Sequence, residues 1–147
     1  MNIEIKCYFI TFATFLRRKI LLDKIAEIVT NAILFGREQE WYRLYAFAVM
    51  PDHVHIAIGL NGKKDLSEIL HSLKSWTSHE INKKTKRNGE IWQKGNYIEE
   101  LNDAKFVEEK CLYIEKNPVK AGLIESAEDF RFCSAFYRER MDYEDWR

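Results

Sequence analysis

The sequence lacks the features that would indicate a secreted or membrane protein. Its three cysteines, Cys7, Cys111 and Cys133, are odd in number and form no CxxC pair. No secretory leader follows the first residue, and every apolar run is far too short to cross a bilayer. We therefore expect a cytoplasmic protein in a reducing environment, with buried thiols, no disulfide bonds and no membrane contact.

The chain also lacks net charge, because 23 basic and 23 acidic side chains balance. Global electrostatics therefore do not indicate a nucleic-acid partner, although the distribution is uneven. Between residues 61 and 94, basic side chains outnumber acidic ones by eight to four. A local basic surface can bind phosphates on a neutral protein, and a solvated helix face would show the same pattern. No glycine-rich phosphate loop is present, so we expect no nucleotide cofactor.

At 147 residues, with 46% apolar and 31% charged side chains, the composition is that of one soluble globular domain. Runs rich in β-branched and aromatic residues predict strands, and helical spacing of apolar residues predicts helices. The predicted strands cover 7–15, 41–50, 53–60 and a short region within 90–98. The predicted helices cover 21–35, 65–81, a segment from 102 or 103 that Pro118 kinks or ends before Gly122, and a short turn at 134–140.

This order, βαββαβα, is the split βαβ pattern of ferredoxin-like folds. The sequence therefore predicts an α+β domain over residues 1–147, with an antiparallel sheet and helices on one face. From about residue 124 we expect an irregular C-terminal extension.

Two histidines, His53 and His55, follow a tight Pro51-Asp52 turn at the start of a predicted strand. Residues two apart in a strand project from the same face, so the two imidazoles can hold one metal ion. Packing or surface histidines would show the same spacing. The turn places the pair where a substrate can reach it.

A second pair, Tyr113 and Asn117, lies four residues apart on a predicted helix and therefore shares one helix face. A phenol and an amide oxygen side by side can serve as a nucleophile and as a third metal ligand. The alternative is an amphipathic core tyrosine followed by a capping asparagine. Tyr97 is a competing tyrosine, but it belongs to a strand and has no polar partner four residues on.

Residues 48–55 (AVMPDHVH), the Trp92-Gln93 pair and residues 113–122 (YIEKNPVKAG) together resemble the single-tyrosine HUH transposases, especially their REP-associated branch. The similarity extends from about residue 7 to residue 134. It implies a ferredoxin-like enzyme that nicks and rejoins single-stranded DNA at hairpin-forming sequences through a 5′-phosphotyrosine. It also implies a homodimer in some relatives.

The resemblance places His53 and His55 on the metal-binding pair and Tyr113 on the catalytic tyrosine. Asn117 stands where the wider family often carries glutamine as a third ligand. Imidazoles on general grounds suit zinc, whereas the resemblance implies Mg²⁺ or Mn²⁺. Two alternatives stay open: a non-catalytic DNA-binding protein derived from such a transposase, and an unrelated metallohydrolase with an HxH pair. The basic residues expected to contact DNA phosphates are Arg17, Arg18, Lys19, Lys83, Lys84, Lys86 and Arg87.

Overall fold

The computed structural model describes residues 5–142, and within them the element order matches the predicted one. The strands are β1 (Cys7–Ala13), β2 (Arg43–Met50), β3 (His53–Gly59) and β4 (Tyr97–Leu101), and the helices are α1 (Asp23–Glu38), α2 (Leu66–Thr85) and α3 (Ala104–Lys120). Short 3₁₀ segments cover Phe15–Arg17, Ala127–Asp129 and Ser134–Arg140. No helix in this range is long and apolar enough to cross a membrane.

The sheet has the strand order β2-β3-β1-β4, and every neighbouring pair is antiparallel. The predicted α+β, ferredoxin-like class is thereby confirmed. The turn at Pro51-Asp52 joins β2 to β3, and the hairpin register pairs Met50 with His53. β1 lies beside β3 with Thr11 opposite His55, a pairing that matters for the site.

The helices cover both faces of the sheet, which differs from the expectation that they would lie on one. α1 and α2 pack on the face that carries Ile10 and Phe12. α3 packs on the opposite face, against Phe9 and Ala57. The reason is that β2 and β3 are apolar on both sides, and an apolar sheet face must be covered by another layer.

Helix ends explain two further details. Asp65, at the predicted start of the helix, caps α2 through a reciprocal capping box with Glu68, but α2 extends to Thr85, beyond its predicted end. In α3, Pro118 is accommodated in the last turn, and the helix ends where Gly122 adopts a positive φ of 77°. There Leu123 N–H donates to the Pro118 carbonyl, and Gly122 N–H donates to that of Val119.

The C-terminal segment, expected to be irregular from about residue 124, covers the outer edge of β2. Val49 N–H donates to the Phe132 carbonyl, and Phe47 N–H donates to the Ser134 hydroxyl. Asp142 completes the contact by exchanging hydrogen bonds with the backbone of Leu44. Backbone groups on the edge strand β2 thus find hydrogen-bond partners within the chain.

The fourth strand begins later than predicted, at Tyr97. Trp92 instead forms a single bridge with Thr14, and its indole N–H donates to the Thr77 hydroxyl on α2. The segment around Trp92 is therefore tied to the end of β1, next to the start of β3. All three cysteines are buried, as expected.

Candidate active site

The two histidines of β3 lie on the sheet face that α3 covers. Their ring centroids are 4.6 Å apart, which agrees with the predicted same-face pair. His55 is 6% exposed, while His53 lies at the strand entrance and is more accessible. The intervening Val54 points to the opposite face and belongs to the other apolar cluster.

Each histidine is held through its Nδ1 atom. His53 Nδ1 lies 2.7 Å from Asp52 Oδ1, and His55 Nδ1 lies 2.7 Å from Thr11 Oγ1. A carboxylate only accepts hydrogen bonds, so His53 must carry its proton on Nδ1. The Thr11 hydroxyl can accept the corresponding proton of His55. In that arrangement both Nε2 lone pairs are available to a metal ion.

Electrostatics keep His55 neutral. Burial, followed by the nearby His53 and Lys110, lowers the pKa of His55 to about 3. A neutral imidazole is the form that binds metals, so His55 needs no deprotonation at physiological pH.

Asp52 links the first histidine to Arg17. Partial burial raises the pKa of the Asp52 carboxyl, but hydrogen bonds from His53 and Arg17 outweigh this and hold it below its ordinary value. Arg17 Nε donates to Asp52 Oδ2 over 3.1 Å. The backbone that presents Arg17 is unusual, because Leu16 and Arg17 both have positive φ, 57° and 53°. Such conformations are unfavourable for these residues and tend to occur at functional sites.

Tyr113 faces the histidines from α3. Its ring centroid lies 5.7 Å from that of His55 and 6.0 Å from that of Phe9, and the residue is 47% exposed. Phe9 also stacks on His55 at 5.3 Å, so it supports both side chains from the sheet. The phenol is therefore near the histidine pair and open to solvent, in the same chain.

Asn117 lies one turn after Tyr113 on α3 and is half-buried. Within residues 5–142, no three side chains of histidine, cysteine, aspartate or glutamate cluster closely enough to hold a metal ion. A metal ion bound by both histidines would therefore need a third protein ligand of another type. Tyr97, the competing tyrosine, is on the same face, with its ring 6.1 Å from that of Phe9.

The predicted DNA-binding residues fall into two groups. In the first, Arg17 pairs with Asp52, while Arg18 lies 5.7 Å from the Phe15 ring centre and Lys19 is exposed. The second group lies at the end of α2: Lys83 and Lys84 are in its last turn, Lys86 caps it, and Arg87 follows.

Backbone contacts place the loop after α2 at the histidine end of the sheet. The loop after Lys86 returns through Ile91 and Gln93, which hydrogen-bond to Phe15 and Ala13 at the end of β1. β1 ends where β3 begins. The loop after α2 therefore reaches the same end of the sheet as His53. The helix α2 itself packs on the face opposite the histidine pair, and Lys83 and Lys84 line a groove with Lys24 and Glu27.

Four residues of the site were missed from the sequence alone. Asp52 could have been found, because it is a carboxylate directly before His53. Thr11 and Phe9 become visible only when the register between β1 and β3 is known. Lys110 lies one turn before Tyr113 on α3. The sequence shows that Lys110 is three residues from Tyr113, but its proximity to the histidines depends on which sheet face α3 covers.

Comparison with known proteins agrees with this geometry. The sequence profile described as "Transposase IS200 like" matches residues 5–117. The chain belongs to the IS200-like transposase family. It is 27% identical to the REP-associated tyrosine transposase of Escherichia coli strain K12 over 124 residues, which cover 84% of this chain and 72% of that protein.

A solved structure of a REP-associated tyrosine transposase bound to a REP hairpin superposes with a TM-score of 0.76 and 25% identity, covering 94% of this chain and 81% of the other. The resemblance inferred from the motifs is thus confirmed. Membership of a transposase family implies that the chain is an enzyme that acts on DNA. An unrelated metallohydrolase, the alternative left open by the HxH pair, is excluded.

Proposed function

We propose that this transposase cleaves and rejoins single-stranded DNA with Tyr113 as nucleophile and a divalent metal ion held by His53 and His55. The hairpin-bound relative supports a hairpin-forming strand as the substrate. We further propose that Asn117 supplies the third protein ligand through its amide oxygen.

The observation that carries the proposal is the convergence of Tyr113 with the histidine pair. The phenol ring lies 5.7 Å from His55, and the two histidine rings lie 4.6 Å apart. A tyrosine that served only as core packing would be buried, whereas this one is 47% exposed. The presence of His53, His55 and Tyr113 together also favours an active enzyme over a non-catalytic derivative.

In the cleavage step, the Tyr113 oxygen attacks the scissile phosphorus, and a new bond forms between them. The bond between phosphorus and the 3′-oxygen of the departing strand breaks. The phenol proton ends on the released 3′-hydroxyl. A 5′-phosphotyrosine conserves the energy of the phosphodiester, so a second 3′-hydroxyl can reverse the step and join new ends without a nucleotide cofactor.

The residues present fit a divalent metal. Asp52 and Thr11 fix the two imidazoles through Nδ1, and His55 is neutral, so Nε2 of each ring can be a ligand. A bound Mg²⁺ or Mn²⁺ would stabilise charge on the phosphate and orient it for in-line attack. Two imidazoles and an amide leave positions for water and phosphate oxygens, which these hard cations accept.

The two basic groups would hold the DNA backbone. Arg18 and Lys19 lie beside the 3₁₀ turn, and Lys83, Lys84, Lys86 and Arg87 lie at the end of α2. Arg17 is committed to Asp52, so we assign it to orienting His53 as well as to phosphate binding.

The test uses a 3′-labelled single strand that contains a hairpin-forming repeat from the DNA flanking the gene, because the 3′ fragment is the one that stays bound to the tyrosine. Wild-type protein with Mn²⁺ should form a covalent adduct that survives denaturing electrophoresis. Tyr113→Phe should form none while binding the labelled strand with unchanged affinity. Tyr97→Phe, on the same face, is the matched control and should form adduct at the wild-type rate. An adduct in the Tyr113→Phe variant would disprove the assignment.

A further inference from the structure

A lysine ammonium lies beside the proposed nucleophile. Lys110 is three residues before Tyr113 on α3, and its Nζ atom lies 5.5 Å from the centre of the Tyr113 ring. The same Nζ lies 4.5 Å from the centre of the Phe9 ring. Helix side chains lean towards the N-terminus, so the phenol of Tyr113 extends over the turn that carries Lys110.

Glu99 fixes the position of this ammonium. Its Oε2 atom on β4 lies 3.0 Å from Lys110 Nζ. β4 pairs with β1 so that Glu99 is directly opposite Phe9, which brings the carboxylate to the same sheet face. Lysine is usually a mobile surface residue, but here the side chain is 30% exposed and crosses from α3 to the sheet.

Stability alone gives a weak reason for this arrangement. Partly exposed lysine–glutamate pairs add little to folding free energy, and holding a long side chain in one conformation costs entropy. The Lys110 ammonium, held beside the rings of Phe9 and Tyr113, is well placed to bind a negatively charged ligand.

We propose that Lys110 is a further catalytic residue, which binds a non-bridging oxygen of the phosphate that is transferred to Tyr113, and that Glu99 positions it. This inference rests on the proposed function and deepens it. The ammonium has three N–H donors, and the ion pair with Glu99 can occupy at most one of them. A remaining donor can meet the charge that develops on the phosphate as the Tyr113 oxygen attacks.

The experiment measures the rate of adduct formation at saturating labelled hairpin strand and fixed Mn²⁺, together with the affinity for the strand. Lys110→Met removes the cation. Lys110→Arg keeps it. Glu99→Gln breaks the same ion pair but leaves the lysine charge in place. Lys105→Met, an exposed lysine in the first turn of α3, is the control for general loss of charge. Thermal unfolding of each variant monitors the fold.

We expect Lys110→Met to slow adduct formation about tenfold to a hundredfold with affinity changed less than about threefold. Lys110→Arg should recover most of the rate, and Glu99→Gln should lose less than Lys110→Met. Equal losses in Glu99→Gln and Lys110→Met would show that only the ion pair matters, and would overturn the proposal. A wild-type rate in Lys110→Met would do the same while leaving Tyr113 intact as nucleophile. Absence of adduct from the wild-type protein would overturn the proposed function itself, and this inference with it.

Discussion

Asp52 and His53, adjacent in the turn between β2 and β3, are joined by a 2.7 Å hydrogen bond from imidazole Nδ1 to carboxylate Oδ1. The bond selects the tautomer whose Nε2 is free, and it makes that nitrogen a stronger ligand. Arg17 holds the other carboxylate oxygen, so the orientation of His53 depends on two side chains outside the HxH motif.

Replacing the carboxylate should therefore weaken metal binding. We expect Asp52→Asn to raise the Mn²⁺ concentration needed for half-maximal adduct formation about tenfold to a hundredfold. The assay starts from chelator-treated protein, in which wild-type activity should be lost and then restored by Mn²⁺ or Mg²⁺. Asp129→Asn, an exposed aspartate, serves as control. An unchanged metal requirement in Asp52→Asn, or full activity in the chelator, would contradict the assigned site.

His55 should make the metal-free protein less stable at mildly acidic pH. Its folded-state pKa is about 3, below the ordinary value of 6.5, so the unfolded chain binds a proton that the folded chain excludes. The contribution of neutral His55 is complete above pH 6.5 and falls as the pH drops towards 3, by about 1.4 kcal/mol per unit at most.

Urea unfolding of metal-free protein between pH 7 and pH 5 measures this effect. His55→Gln should show a shallower dependence on pH, and His71→Gln, an exposed histidine on α2, should follow the wild type. Identical slopes for wild type and His55→Gln would show that burial of this imidazole has no such effect.

Sequence patterns were sufficient for the fold class, whereas the roles expected for His53, His55 and Tyr113 came from the resemblance to a known family. Alternation in β3 placed His53 and His55 on one face, and helical spacing placed Tyr113 beside Asn117. The patterns could not place α3, because its side of the sheet depends on tertiary packing. A cue was present, since Ala46 and Ala48 in β2 are small and apolar on the face that α3 covers.

The residues that orient the histidines were harder to predict for a different reason. Thr11 reaches His55 only through the pairing of β1 with β3, and that register is a long-range property. The same holds for Glu99 and Lys110, which come from β4 and α3 and meet over Phe9. Short motifs identify the side chains expected to react, whereas the residues that orient those side chains come from distant parts of the chain.

Glu115, two residues after Tyr113, should stabilise the packing of α3 against the C-terminal segment. It is buried, and its carboxylate accepts hydrogen bonds from the Ser134 hydroxyl and from Arg138 in the C-terminal segment. Glu115→Ala would leave the Ser134 hydroxyl without this partner, so we expect a loss of about 1–3 kcal/mol in unfolding free energy. Urea denaturation measures it, with Glu109→Ala as an exposed control on the same helix. Equal stability of the two variants would contradict the role.

The site should be complete within one chain, even if the protein forms the homodimer that its resemblance to other transposases implies. Tyr113 contacts His55 of its own chain, and α3 is held on the sheet by buried Cys111 and Ile114. Exchange of α3 between subunits would have to expose those side chains to water. We therefore expect that mixing a Tyr113→Phe protein with a His53→Ala, His55→Ala protein restores no adduct formation. Recovered activity in the mixture would instead show that the tyrosine of one subunit serves the histidines of another, and native mass spectrometry of the wild type would then identify the oligomer responsible.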